Sequence, residues 1–557
     1  MMKKSKIKFI IIICVFSLMN YSCSEDYLDK VPLDAPLASN FLSSESELEM
    51  AVSGVYNILW FQPESMPFSL TLEYATDNGW DRNGSDLQAL GRGDATTDNG
   101  FSGSFWRTFY RGIGRANYIL SNSDHLRDEM EEEKYKRLMA EVRFLRAYYY
   151  SYLTELFGDV PLVIEQSSIE EAEIARTAKS EVVDFILSEL NEIEQDLPLA
   201  LEQKNRVTLG AALALKSRVA LFNERWSEAA KAADDLISLG TYSLHEDFGA
   251  LFHYEGEDSP EIIMSVAFED GIQNHDVPRM FYSRMALGHS NKKPPQQLVD
   301  TYGAIDGLPI DESPMYDPED PFKNRDPRLT QTIVLPGTRF INHVFDTNPN
   351  VTEVLYFGVD PPIMVENREA THPYSSFTGY LYRKYADPKD YPQVNNSGID
   401  IILFRYAEVL LNYVEAKIEL NEIDQSVYNA INAVRARPTV DMPAIAEGKS
   451  QDEFRNIVRK ERRWELANEG LRLFDIRRWR IAQEVMDDPI LGRIPTGFLS
   501  EAPDINEYGT PNYDNVGNAD QMDVVEIRSF NPTRDYLWPI PRIELETNPL
   551  LEQNPGY

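Results

Sequence analysis

Apolar positions recur at spacings of three and four along much of the chain, the period of a helix with one buried face. In Ala140–Phe157 these positions are Val142, Leu145, Tyr149, Leu153 and Leu156, and Gly158 and Pro161 end the run. Thr208 stands at an N-cap position before Leu209, Ala212, Leu213 and Ala220. A turn near Asn223–Trp226 leads to a second helical pattern with Ala229, Ala233, Leu236 and Ile237, closed by Gly240. Downstream, Asp400 precedes an expected helix with Leu403, Ala407, Leu410, Val414 and Ile418. Ser426 precedes another with Val427, Ala430, Ile431 and Val434. A further helix is expected over 181–196.

Paired helices with alanines at the crossing, Trp226 opening the second one, and a unit of about 34 residues resemble a tetratricopeptide repeat. The expected fold is all-α, a tetratricopeptide-like scaffold carrying a large irregular insertion with short strands. The insertion is placed at 241–395, which holds 16 of the 33 prolines; each removes a backbone donor and interrupts a helix. Short strands are expected at Glu261–Phe268 and Thr330–Leu335. A second irregular stretch, Asp77–Gly103, is rich in glycine, and long loops on rigid helices are common binding surfaces. The helical regions are then 41–240, with its ligand loop at 77–103, and 396–557.

The N-terminus changes the picture from a free protein to a tethered one. Lys3, Lys4, Lys6 and Lys8 precede the apolar run Phe9–Phe16, which is too short to span a bilayer comfortably and reads as an export signal over 1–22. Leu18-Met19-Asn20-Tyr21-Ser22-Cys23 resembles a bacterial lipobox, which implies cleavage before Cys23 and acylation of that residue as lipid anchor. Residues 23–40 then form anchor and tether. The net charge of −36 repels phosphate backbones, so nucleic acid is not an expected partner. Two cysteines, Cys14 and Cys23, exclude a disulfide framework or a cysteine zinc site in the body.

Searches for catalytic chemistry fail. His245-Glu246 has no second histidine at zincin spacing, Ser104 replaces the last glycine of a nucleophile elbow, and Pro443 replaces the first glycine of a phosphate loop. Asp77, Asp81, Asn83, Ser85 and Asp86 could offer oxygens to calcium, but Gln88 stands where a bidentate Glu belongs. No metal or cofactor is expected. The basic run Arg455–Arg480 alternates with Glu461, Glu465, Glu469 and Asp475, which points to internal ion pairs. Among aromatics, Trp80 is the outstanding candidate. It lies in Asp77-Asn78-Gly79-Trp80-Asp81-Arg82, and an exposed indole beside Asn78, Asp81 and Arg82 would suit a sugar ring. Phe101, Tyr282 and Tyr302 are weaker candidates of the same kind.

Several motifs spanning the chain resemble one family. Cys23-Ser24-Glu25-Asp26-Tyr27-Leu28-Asp29 is one. Others are Glu141-Val142-Arg143-Phe144-Leu145-Arg146-Ala147 running into Phe157-Gly158-Asp159-Val160-Pro161-Leu162, and Phe404-Arg405-Tyr406-Ala407-Glu408. Glu461-Arg462-Arg463-Trp464-Glu465-Leu466, Trp538-Pro539-Ile540-Pro541 and Gln553-Asn554-Pro555-Gly556-Tyr557 complete the series. Together they resemble the SusD/RagB nutrient-uptake lipoproteins of Bacteroidetes. The resemblance implies a non-enzymatic, surface-exposed, outer-membrane lipoprotein that captures oligosaccharide and acts as a lid on a SusC-like TonB-dependent transporter. A peptide ligand is the alternative within that class. A glycoside hydrolase is the alternative outside it and would need a perturbed acid pair in a cleft.

Overall fold

The computed structural model describes residues 42–165, 173–201, 205–375 and 377–557. The expected signal segment, Cys23 and the tether to Asn40 lie outside the described residues.

A stack of helices forms the scaffold. Helices α1 (Glu45–Tyr56), α2 (Gly100–Asn122), α3 (Glu132–Phe157), α4 (Lys179–Ile193), α5 (Leu209–Phe222) and α6 (Trp226–Ser238) each pack on the next. The stack continues from α6 directly to α7 (Tyr406–Glu419), which carries α8 (Gln425–Arg435) and α9 (Gln451–Leu466). The loop-rich stretch thus leaves the helical layer after α6 and returns to it at α7. The starts are capped as polar residues dictate: Asn99 accepts from the Ser102 N–H, Thr208 from Ala211, and Ser450 with Glu453 forms a capping box. Helix α5 is buried on nearly all sides because it lies inside the stack.

Four expectations about local structure are corrected. Asp400 precedes a strand, Ile401–Arg405, and the helix begins only at Tyr406. The run Ile401-Ile402-Leu403-Phe404 is apolar at consecutive positions, and it pairs antiparallel with Ile262–Val266. Helix α8 is capped by Asp424, whose carboxylate accepts from the Ser426 N–H, so Ser426 lies inside the helix. Of Thr330–Leu335 only Ile333–Val334 is strand, since Arg328–Thr332 forms a short helix. Finally, 77–103 is not one long loop. It holds strand β1 (Trp80–Asp81), a helix over Asp86–Arg92, and the start of α2 at Gly100.

Residues 239–405 fold as turns, short helices and small antiparallel sheets, including a four-stranded one from Thr338 to Glu366. Buried ion pairs fix this region to the scaffold. Arg405 binds Glu261, Glu465 and Glu469 at 2.7–2.9 Å, Arg437 binds Glu261 and Glu465, and Arg328 binds Asp326, Glu461 and Glu465. Burial acts to raise the Glu465 carboxyl, but the guanidinium groups of Arg437, Arg405 and Arg328 outweigh it and hold it far below the usual range. Several arginines of 455–480 make internal pairs, but of the interleaved acids only Asp475 takes part, Glu461, Glu465 and Glu469 binding cations outside the run. Arg455 meets Glu419 at 2.7 Å, Arg462 meets Asp475 at 3.1 Å, and Arg478 meets Glu415 at 2.6 Å.

Candidate ligand-binding site

The Trp80 segment is held inside the protein by long-range pairing. Strand β1 runs antiparallel to Lys292–Lys293, with Trp80 opposite Lys293 and Asp81 opposite Lys292. Trp80 is therefore 5% exposed, and its indole N–H donates to Glu526 at 3.2 Å. The expected open indole face is corrected: the ring of Phe377 stands edge-on against it, centroids 5.9 Å apart.

Its neighbours have structural partners. Asn78 donates to Glu73 and accepts from Arg463, both at 2.8 Å. Asp81 pairs with Lys292 at 2.6 Å and caps the turn through Asn83 and Ser85. Asp77 is held by Arg463 and Arg472 at 2.7 and 2.8 Å, so of the oxygens considered for calcium those of Asp77 and Asp81 are committed to cations of the protein itself, while the Asp86 carboxylate accepts from the Gly100 N–H. Phe101 is buried on α2 against Phe105 and Trp538. Tyr282 is buried against Phe340 and donates to the Asp387 carbonyl, while Tyr302 stacks on Trp464. These side chains are core, because the loops that carry them are covered by segments distant in sequence.

Arg82 alone of the six expected contacts reaches the surface, and it leads to a group of residues that local sequence reading missed. Its guanidinium lies 5.0 Å from the centroid of Tyr374, and that of Arg284 lies 5.6 Å from the same ring. Tyr374 is 55% and Phe377 41% exposed, large values for rings in a folded chain. Beneath them Lys293 is buried, its ammonium 5.1 Å from the Phe377 centroid and donating to the Ser375 carbonyl at 3.0 Å. The reversal that aims Arg284 is tight. Leu287 and Ser290 adopt left-handed φ, and a Cβ at Gly288 would meet the Tyr282 carbonyl oxygen at 2.1 Å. Tyr374, bordered by two guanidinium groups, and Phe377, above a buried ammonium, offer apolar faces beside hydrogen-bond donors. The signal was present in Thr371-His372-Pro373-Tyr374-Ser375-Ser376-Phe377, aromatics among small polar residues, as for Trp80.

Two cavities were weighed against this surface. One of about 700 Å³ is lined by Arg225, Arg477, Arg478, Arg480 and Tyr536, among others. Its rings, Tyr536 and Phe222, are buried, unlike Tyr374 and Phe377. Another of about 540 Å³ is bordered by Glu484, Asp487, Asp488 and Asp514. Its ring, Tyr513, is partly buried and donates to Asp300 at 2.9 Å. Neither presents an open aromatic face.

Comparison with known proteins agrees with the architecture. The description "SusD family" matches residues 260–557, and "Starch-binding associating with outer membrane" matches 26–221. A SusD-like protein of Formosa agariphila is 27% identical over 501 residues, 86% of this chain and 91% of its own length. A crystal structure described as a SusD-like carbohydrate binding protein from Bacteroides fragilis superposes with a TM-score of 0.79 at 31% identity, covering 92% of this chain and all of that one. A second SusD-like protein from Bacteroides fragilis gives 0.75 at 26%, covering 95% of this chain and all of its own.

Proposed function

Because this chain belongs to the SusD family, we propose that it is a cell-surface lipoprotein, anchored in the outer membrane through Cys23, that captures oligosaccharide and serves as lid to a SusC-like TonB-dependent transporter. The observation that carries the glycan reading is the Tyr374–Phe377 platform. A sugar ring laid on these faces would exclude water from its C–H surface while its hydroxyls meet Arg82 and Arg284. The Bacteroides fragilis relative described as carbohydrate binding shares the fold across its whole length, which supports the same ligand class here.

Capture is proposed to leave the ligand intact. The acids nearest the platform are engaged elsewhere: Asp81 pairs with Lys292, and buried Glu369 accepts from the Met285 N–H at 2.6 Å. Neither is placed as a general acid beside a free carboxylate. No helix among the described residues is long and apolar enough to cross a membrane, and in this reading attachment comes from the acylated cysteine. Ligand held on the platform would be enclosed when the lid closes over the barrel mouth.

Calorimetric titration of 24–557 against polysaccharides and peptides, with released reducing ends assayed in the same mixtures, tests the reading. Binding of a glycan without release, weakened by Tyr374→Ala, is the expected result. Binding of peptides alone would move the protein to the peptide-capturing alternative, and product release would overturn the non-enzymatic claim.

A further inference from the structure

Resting on that reading of the platform, we infer that the ligand is an anionic glycan, one carrying carboxylate or sulfate groups that dock between Arg82 and Arg284. Among the described residues Arg82, Arg284 and Lys293 have no carboxylate within ion-pair distance, although Asp81 acts on Arg82 and Glu369 on the other two from farther away. Arg82 donates to the His289 carbonyl at 3.2 Å and to the Asn291 side-chain oxygen, and its Nε is buried without a partner. Arg284 donates to the carbonyls of Tyr374 and Gly288 at 3.1 and 3.4 Å. Among the described residues Lys293 meets the Ser375 carbonyl and the faces of Trp80 and Phe377. Two other buried lysines of this protein sit on carboxylates, Lys292 on Asp81 and Lys384 on Glu469, whereas buried Lys293 has none within ion-pair distance among the described residues.

The adjoining acids do not fill the role. Asp81 is paired with Lys292, and Glu369 is buried, its carboxyl pushed up by desolvation while Lys293 and Arg284 draw it down from beyond ion-pair distance. Asp276, farther along, pairs with Arg279 at 3.2 Å. Positive potential therefore accumulates here within a chain of net charge −36. Its effect is visible on the neighbours. Burial and then Arg284 lower Arg82; burial and then Arg82 lower Lys293 far; His289 and His372 are lowered by burial and by surrounding arginines that include both Arg82 and Arg284. Two guanidinium groups directed at one exposed ring, with no carboxylate within ion-pair distance of either among the described residues, are what a planar or tetrahedral oxyanion on a stacked sugar would satisfy. A neutral sugar could stack but would leave both charges uncompensated.

The test is calorimetry of 24–557 with matched pairs: a polyuronate oligosaccharide and its carboxyl-reduced form, and a sulfated oligosaccharide and its desulfated form. Expected is binding of one charged member at least about tenfold tighter than its neutral partner, weakening between 50 and about 500 mM salt. Whichever pair shows the difference identifies the anion. Arg82→Gln and Arg284→Gln, verified as folded by circular dichroism, should each lose about ten- to a hundredfold. The surface variant Tyr374→Ala should weaken binding in parallel. Neutral members binding as tightly as charged ones, without salt dependence, would overturn the anionic inference while leaving glycan capture standing. Charged binding indifferent to all three variants would overturn the site. Failure of every glycan would sink the functional reading as well.

Discussion

Glu465→Gln should be among the most damaging single-atom-scale changes in this protein. The Glu465 carboxylate accepts from Arg405 at 2.8 Å, Arg437 at 2.9 Å and Arg328 at 3.0 Å, all with side chains at most 1% exposed. The surrounding cluster balances Arg328, Lys384, Arg405, Arg435 and Arg437 against Glu261, Asp326, Glu461, Glu465 and Glu469. Substituting Gln leaves one buried positive charge uncompensated and turns an amide N–H₂ toward a guanidinium. Breaking a buried pair on one side costs about 3–5 kcal/mol. With about 2.1 cal/mol/K of unfolding entropy per residue, a chain of this length has a transition entropy on the order of 1 kcal/mol/K, so the midpoint should fall by about 3–5 °C. Scanning calorimetry reads this directly, with Asp98→Asn in the exposed Arg542–Asp98 pair as the control expected not to move. If Glu465→Gln melts with Asp98→Asn, the cluster does not join the insertion to the helices as argued.

Other outcomes follow from the same structure. Phe101→Ala, which empties a contact with Phe105 and Trp538, should cost about 3–5 kcal/mol in chemical denaturation and leave ligand affinity unchanged. Burial raises the Asp77 carboxyl, but Arg463 and Arg472 outweigh it and hold it at about 2. Its stabilisation is therefore complete above the unfolded pKa of about 4 and lost as pH falls toward 2. Asp77→Asn should flatten the acid limb of a stability–pH profile. Asp300 runs the other way: burial lifts it to about 6 against Arg325 and Gln296, so the folded state holds its proton more tightly and stability falls as pH rises from about 4 to 6. Asp300→Asn should gain stability at pH 8 relative to pH 4. Gly470 has φ +77, and a Cβ there would meet the Ser69 carbonyl oxygen at 1.8 Å; Gly470→Ala should lower the melting midpoint sharply.

The helical layer was legible because its signal is local. Thr208 and Gly240 delimit α5 and α6 where capping chemistry places them, and the three–four spacing of Val142, Leu145 and Tyr149 marks α3 as a helix, though one buried on all sides over 144–154 and not on a single face. The run at Ile401 misleads because a short, uniformly apolar stretch fits a buried strand as well as a helix, and only its pairing with Ile262–Val266 decides. Trp80 fails as an exposed platform for a related reason. Its surroundings in sequence are polar, but its surroundings in space are Lys293, Phe377 and Glu526, supplied by segments that composition around residue 80 cannot reveal. The criterion itself, an aromatic among small polar residues, also describes Tyr374 and Phe377, which are exposed.

The two-residue pairing of Trp80–Asp81 with Lys292–Lys293 has a consequence for how binding competence arises. The proposed platform is assembled from 80–82, 284–293 and the residues Tyr374, Ser375 and Phe377, which the chain supplies in turn and which meet only after the insertion has folded back on the scaffold. No continuous fragment shorter than that span contains the surface, and a polypeptide emerging from its N-terminus has none of it until residue 377 is free to fold. In the proposed reading, ligand affinity would therefore report on completed folding: an immature molecule with only its N-terminal helices formed would be silent toward the ligand.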